Sequence, residues 1–252
     1  MSTWDKKSEY FSGQGVVLLS ERDPVTGEPL GFVPVGNVSD LKITISTSNL
    51  EHKESQSGQR GVDLRLNTET NVGLSMTMEN FESENLALVS RGKETKLETG
   101  SGTKKITVKK GFIYSLDHIK VSDVTITPTS GTALELGTDY ELNEDAGSFS
   151  ILTDSAIADD GVEVTVAYKY EDQFIVDALS VGSKELFMRF EGLNTVESNS
   201  PVIVEVFKFN TDPFNELALI GDDVQSFVLE GSVLSDPTRK KGSKYFSVKK
   251  QN

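Results

Sequence analysis

The stretch Asp40–Asn80, DLKITISTSNLEHKESQSGQRGVDLRLNTETNVGLSMTMEN, decides the fold. In its first run Leu41, Ile43 and Ile45 alternate with Asp40, Lys42, Thr44 and Ser46. A second run sets Val62, Leu64 and Leu66 against Asp63, Arg65 and Asn67, and a third sets Val72, Leu74, Met76 and Met78 against Ser75, Thr77 and Glu79. Successive side chains of a strand point to opposite faces, so each run is expected to offer one face to a core and one to solvent or a partner. Between the first two runs lies NLEHKESQSGQR, Asn49–Arg60, polar apart from Leu50. Hairpin connections usually take about 2–5 residues, and a longer structureless connection is more often functional than accidental. The expectation is two strong strands carrying a long, loose polar arm. Its Asn49, Glu51, His52, Lys53, Glu54, Gln56, Gln59 and Arg60 offer many directional contacts.

A chain of 252 residues is long enough for a buried core and suggests one to two domains at about 150 residues each. No apolar run approaches the roughly 18 residues of a membrane span, and MSTWDKKSEYF lacks the apolar centre of a signal peptide, so the chain is expected to be soluble and made inside the cell. Without cysteine, disulfides, thiolate metal sites and Cys nucleophiles are excluded. The net charge of −14 argues against a conventional nucleic-acid binder, since affinity for phosphate comes largely from Lys and Arg. Two readings of that charge stay open: a solubility surface, or a surface that nucleic acid must pass without sticking.

Outside the central stretch, residues 1–14 read as a polar arm with Trp4 as a packing residue or docking anchor. Val16–Leu19 is a short strand. ERDPVTGEPLG supplies turn chemistry before a second strand, Phe32–Val38. In FESENLALVSRG a short helix is expected, with Ser83 as N-cap, Leu86 and Val89 on one face and Gly92 at the left-handed position after its end. Residues 106–171 read as a run of short strands, and the change of parity between Ile119/Val121 and Val124/Ile126 implies a bulge near Ser122–Asp123. A second helix is expected from Asp212 as N-cap, Pro213, Phe214, Leu217 and Ile220, with Gly221 as its stop. The C-terminal DPTRKKGSKYFSVKKQN is basic, and reads as a solvated tail or as one ordered against a neighbouring acidic subunit.

The chemistry of an enzyme is not legible. The two histidines, His52 and His118, lack metal-ligand spacing. No nucleophile elbow, phosphate-binding loop or dinucleotide fingerprint is present. Paired acids such as Asp159–Asp160 and Asp222–Asp223 are read as solvated turns. No catalytic residue, metal or cofactor is expected, and the chain is expected not to be an enzyme.

The Gly36–Asn37 turn, the long-armed hairpin, the helix ENLALVSRG and the closing VIVEVFKFNTDPFNELALIGDD with SFVLEGSVLSD together resemble the tail tube proteins of tailed bacteriophages. The insert with GTDYEL, GSFSIL and GVEVTVAYKY is similar to a β module recurrent in phage structural proteins. The resemblance implies a mainly β fold, a β-sandwich or barrel of the tail tube type with one or two short helices and an inserted β module. Residues 1–105 would form the first part of the tube domain, 106–171 the insert facing out of the tube, and 172–252 the closing part with the C-terminal tail. It also implies a virion protein of the tail, assembled in the host cytoplasm as hexameric rings stacked into a tube. Its partners would be further copies of itself, the tape measure protein and DNA in the lumen without sequence-specific binding, and sheath, terminator or tip proteins. The arm residues from Asn49 to Arg60 would then be the inter-ring stacking loop, and Asp40, Glu69 and Glu79 would line the lumen. Rival readings are a carbohydrate-binding or hydrolysing tail-fibre or baseplate protein, and the tube protein of a contractile secretion system.

Overall fold

The computed structural model describes residues 9–222 and 224–251, so Trp4 and Asp223 lie outside the described residues. The strands begin with β1 (Gly13–Glu21), β2 (Val33–Pro34), β3 (Val38–Lys53) and β4 (Val62–Met78), followed by the helix α1 (Ser83–Val89). Then come β5 (Lys93–Leu97), β6 (Gly100–Val108), β7 (Ile113–Ser115), β8 (Val121–Pro128), β9 (Tyr140–Asn143), β10 (Ser148–Ile151) and β11 (Val162–Tyr170). The chain closes with β12 (Gln173–Asp177), β13 (Glu185–Asn194), β14 (Ser200–Thr211), β15 (Phe227–Val233) and β16 (Phe246–Lys250).

The chain divides into two compact units, one of Glu94–Ile175 and one of the described residues up to Lys93 with those from Val176 onward. The boundary at Glu94 lies earlier than the expected 106, because β6 begins at Gly100 and pairs along its length with β11. In the smaller unit two three-stranded sheets, β7-β10-β9 and β6-β11-β8, share one apolar core around Phe149, Ile126, Val164 and Val166. The parity change in β8 is a bulge: Ala167 pairs with Thr125 and Lys169 with Ser122, and Asp123 takes φ 50°. Tyr168 and Tyr170 lie opposite Gly102 and Gly100, where a Cβ would come within 2.6 Å of the Tyr168 ring and 2.8 Å of the Tyr170 hydroxyl. Glycine there lets the rings lie across the neighbouring strand.

In the larger unit the sheet runs β2-β1-β13-β14-β15-β4-β3. β14 pairs with β13 along its length, with β16 over Val202–Val206 and with β15 over Phe209–Thr211. β2 and β3, the ends of that path, do not pair with each other among the described residues. The architecture is therefore mainly β with no closed barrel, a correction to the barrel expectation. Val72, Leu74, Met76 and Met78 of β4 alternate into the core with Val17, Leu186, Met188, Val206, Phe209 and Leu229. Entry to the hairpin is latched at Gly36 (φ 83°), where Asn80 occupies the space a Cβ would need. Asn85 of α1 donates to Val35 O at 3.0 Å and to Asn80 O at 3.1 Å, tying both hairpin ends to the helix.

The first helix forms, with different ends. Its N-cap is Glu82, without a side-chain cap, and Ser83 is already helical. The left-handed residue after it is Arg91 (φ 48°), with Gly92 N–H bonded to Ala87 O at 2.7 Å and Arg91 N–H to Leu88 O at 3.3 Å. Arg91 is held there by its guanidinium, whose Nε donates to Thr211 O at 3.0 Å and whose Nη2 reaches Asp212 Oδ1 at 3.2 Å. This explains why the second expected helix is absent among the described residues: 212–222 and 224–226 are irregular. Asp212, needed as an N-cap, is paired with Arg91, and Phe214 N–H donates to Val89 O at 2.8 Å, closing α1 instead of opening a new helix.

The basic C-terminal segment is neither a solvated tail nor free for a neighbour along its length, since β16 is part of the sheet. Asp236, 2% exposed, accepts from Arg22 Nη2 at 2.7 Å, and the Arg239 guanidinium lies 3.5 Å over the Phe207 ring. Burial alone would raise the Asp236 carboxyl, but hydrogen bonds from Thr238 and the Arg22 guanidinium outweigh it and hold the group below the usual carboxylate range. Its stabilising contribution is thus present above that range and is lost as pH falls through the lowered value. Asp236→Asn leaves Arg22 facing a neutral group in a buried site. It is expected to cost about 3 kcal/mol at neutral pH in denaturant unfolding, the lower end of the penalty for breaking a buried pair. The difference from the unchanged protein should shrink as the medium is made strongly acidic.

Candidate functional site: an exposed β arm

The hairpin of β3 and β4 outgrows its core. Val72 pairs with Ile45, and Val72 is buried while Ile45 is 60% exposed. From Thr44 to Asn71 every residue is exposed except the half-buried Glu54. The run Asn49–Arg60, expected as a structureless loop, is mostly strand. Asn49 pairs with Asn67, Leu50 with Leu66, Glu51 with Arg65, His52 with Leu64 and Lys53 with Val62. A polar segment of this kind reads as a loop because both faces of the ribbon are wet, so the sequence carries no core-facing alternation there. The run Val62, Leu64 and Leu66, expected to face a core, is 48–52% exposed.

Which face those leucines occupy is set by a bulge. Ser48 pairs with Glu69 but Asn49 with Asn67, leaving Thr68 as an extra residue in β4. Polar side chains stitch the irregularity: Thr68 Oγ1 donates to Ser48 O at 3.0 Å, and Glu69 N–H to Asn67 Oδ1 at 3.2 Å. Directly opposed residues share a face. At the base, Leu41, Ile43 and Ile45 oppose Met76, Leu74 and Val72 on the core face. Beyond the bulge Leu50 opposes Leu66, and by alternation along β3 Leu50 lies on the face of Asp40 and Ser48. The apolar row therefore crosses the ribbon. In sequence all these β4 residues have the same parity, and only the polar pair Asn67–Thr68 hints at the switch.

The tip is an ordered turn. Gly58 and Arg60 take φ 79° and 53°, and Glu54 N–H donates to Gly61 O at 2.8 Å. The Glu54 carboxylate accepts from the Ser57 hydroxyl and from the N–H groups of Gln56 and Ser57, each at 2.8 Å. The Ser57 hydroxyl, followed by those N–H donors, lowers its carboxyl from 4.5 to about 2. Gln59 N–H donates to Ser57 Oγ at 3.2 Å. Along the shaft, His52 Nδ1 lies 2.6 Å from Asp63 Oδ1 and Arg65 Nε 3.8 Å from Glu51 Oε1. Arg60 makes no ion pair among the described residues.

The acids Asp40, Glu69 and Glu79 are placed on one side of the hairpin but not in one cluster. Asp40 pairs with Thr77 at the base and holds Lys42 at 2.5 Å, while Glu79 accepts from Asn37 Nδ2 at 2.5 Å just past β4. Glu69 stands on the arm, with Ser48 Oγ at 3.4 Å. The outer edge of β3, a strand of 16 residues, has no partner strand among the described residues. His118, the other histidine, stacks on Tyr170 at 3.7 Å between ring centres and bonds Tyr168 Oη at 2.9 Å. Among the described residues no group of three or more potential ligands is gathered for a metal ion, and no helix is long and apolar enough to cross a membrane.

Two outcomes follow from this geometry. In an NMR titration the Glu54 carboxyl should show a midpoint of about 2, and Ser57→Ala should move it upward; the ordered turn is then kept above the usual carboxylate range and lost as pH falls through that midpoint. An unmoved midpoint would contradict the hydroxyl's role. Inserting one residue between Ser48 and Asn49, opposite Thr68, should make the pairing regular at this point and turn Leu50 and Leu66 to the face of Ile45 and Val72. NOEs between Leu50 and Leu66 should persist while new ones connect them to the Ile45–Val72 face, with the core resonances unchanged; a row that stays on the face of Ser48 would contradict the bulge's role.

No curated protein matches the chain. A family model described as "Protein of unknown function UCP028589" matches residues 10–249. With that span reaching from the strand before the arm through both compact units to the last strand, the chain belongs to this family of unknown function.

Proposed function

We propose that the chain is a structural subunit of a phage tail tube, stacking as hexameric rings into a channel for DNA passage, and that it carries out no reaction. The observation that carries this reading is the arm from Thr44 to Asn71, a two-stranded ribbon with Ile45, Leu50, Val62, Leu64 and Leu66 exposed. An isolated hairpin is marginal in water, and exposed apolar rows mark interaction surfaces. Such an arm makes sense where another subunit covers it. In a stack of rings the next ring supplies that cover once per subunit, and contacts repeated around a circumference add up.

Two further features agree with this reading. The open edge of β3 is a template for a strand from a neighbouring copy, and joining sheets around a ring would remove an edge that otherwise aggregates. Asp40, Glu69 and Glu79 share the face of the hairpin turned from the core, in a chain of net charge −14. Facing a lumen, these carboxylates would repel phosphate and let DNA or a tape measure protein slide without being held.

The test is removal of the arm at a paired position. Residues 47–70 are replaced by Asn-Gly, joining Ser46 to Asn71, which already pair. The far-UV circular dichroism minimum and the melting transition of the core should persist while rings or filaments vanish from electron micrographs. Tubes of normal width and length from the armless chain would overturn the proposal.

A further inference from the structure

The segment 212–226 combines anchored and unanchored apolar residues. Phe214 and Leu217 pack against the core, and Phe227 is buried as β15 begins, so both ends of the segment are fixed. Between them Leu219, Ile220 and Val224 are 75%, 98% and 82% exposed. The segment contains Asp212, Glu216 and Asp222 and no Lys or Arg. Glu216 and Asp222 are exposed and make no ion pair among the described residues. An apolar group rimmed by one sign of charge is the composition of a protein-binding surface, not of a solvated loop.

The same unit holds a complementary surface. The loop before β16 reads Arg239, Lys240, Lys241, Gly242, Ser243, Lys244, without an acid. Arg239 over Phe207 and Asp236 N–H donating to Lys244 O at 2.9 Å hold both sides of this loop. Lys240, Lys241 and Lys244 are exposed and make no ion pair among the described residues. In a chain with an acid excess of 39 to 25, cations without a partner stand out. Lysine stems can also lie along apolar side chains while their ammonium groups meet carboxylates.

We propose that the acidic, apolar segment 212–226 of one copy docks on the basic loop 239–244 of a second copy. Each copy then gives one surface and receives the other, a heterologous contact that closes into a ring where the rotation between copies allows. It is separate from the arm and would be the lateral contact within a ring. The inference rests on the reading of the chain as a self-assembling subunit. Leu219, Ile220 and Val224 supply the desolvated centre, and Glu216 and Asp222 meet Lys240, Lys241 and Lys244 at the rim, where pairing directs partner choice and weakens with salt.

Because the chain has no cysteine, Ile220→Cys and Lys241→Cys can be made as separate single-thiol variants. Mixed and treated with a short bifunctional maleimide, they should cross-link about tenfold more than Ile220→Cys mixed with Val25→Cys, another exposed position. Lys240→Glu, Lys241→Glu and Lys244→Glu together should reduce sedimenting assemblies about tenfold, and adding Glu216→Lys with Asp222→Lys should restore them. Cross-linking no greater than the control, or full assembly of the charge-reversed chain, would overturn this contact and leave the tube reading intact. A wild-type chain that stays monomeric at every concentration and salt tried would overturn both.

Discussion

The pairing of Val38–Lys53 with Val62–Met78 is the constraint on which the larger unit depends. At its base it carries Val72, Leu74, Met76 and Met78 into the core, and β15 adds to the other side of β4 through Phe227–Val233. Beyond Val72 the same hydrogen-bonded ladder continues with neither face covered by the described residues. The ribbon pairs the facing backbone groups of its two strands, while its outer edges and apolar side chains stay in water. The core ends where neighbouring strands stop, and the hairpin does not stop with it.

Charge pairing organises the periphery where apolar burial runs out. Arg22 and Asp236 tie the turn after β1 to the C-terminal segment, and Glu205 takes both Arg189 at 2.5 Å and Lys249 at 2.7 Å across β13, β14 and β16. Ion pairs that keep one or both groups in contact with water contribute little singly. The Arg22–Asp236 pair differs because both groups are buried, so neither can fall back on water. The basic segment 236–250 is thereby drawn into its own subunit, leaving the lysines of the 239–244 loop without ion-pair partners among the described residues.

Local hydrogen bonds compete with helix formation near α1. Arg91 accepts a left-handed backbone because its guanidinium gains Thr211 O and Asp212. That same contact removes the cap on which a helix from Asp212 would depend. The result is one short helix and one irregular segment whose anchored half is in the core and whose other half is exposed. On the arm, Glu54 plays the opposite part, using its carboxylate to convert a glycine- and serine-rich stretch into a defined turn.

The strands of the hairpin base were legible because one buried face forces a strict two-residue period, as Val72–Met78 shows. So was the bulge in β8, whose parity change has a single structural remedy. The extent of the arm was not legible: with both faces wet, Asn49–Lys53 has no period, and hydrogen bonding to Val62–Asn67 alone makes it a strand. The side taken by Leu50, Leu64 and Leu66 was also hidden, since it follows from Thr68 having no opposed residue in β3, a fact of register between strands. The helix pattern at Asp212–Gly221 was legible yet not realised, because Arg91, distant in sequence, takes the capping carboxylate. Local composition thus determined which segments form strands around a core. Tertiary pairing decided where the core ends, which residues it leaves exposed and what they are free to meet.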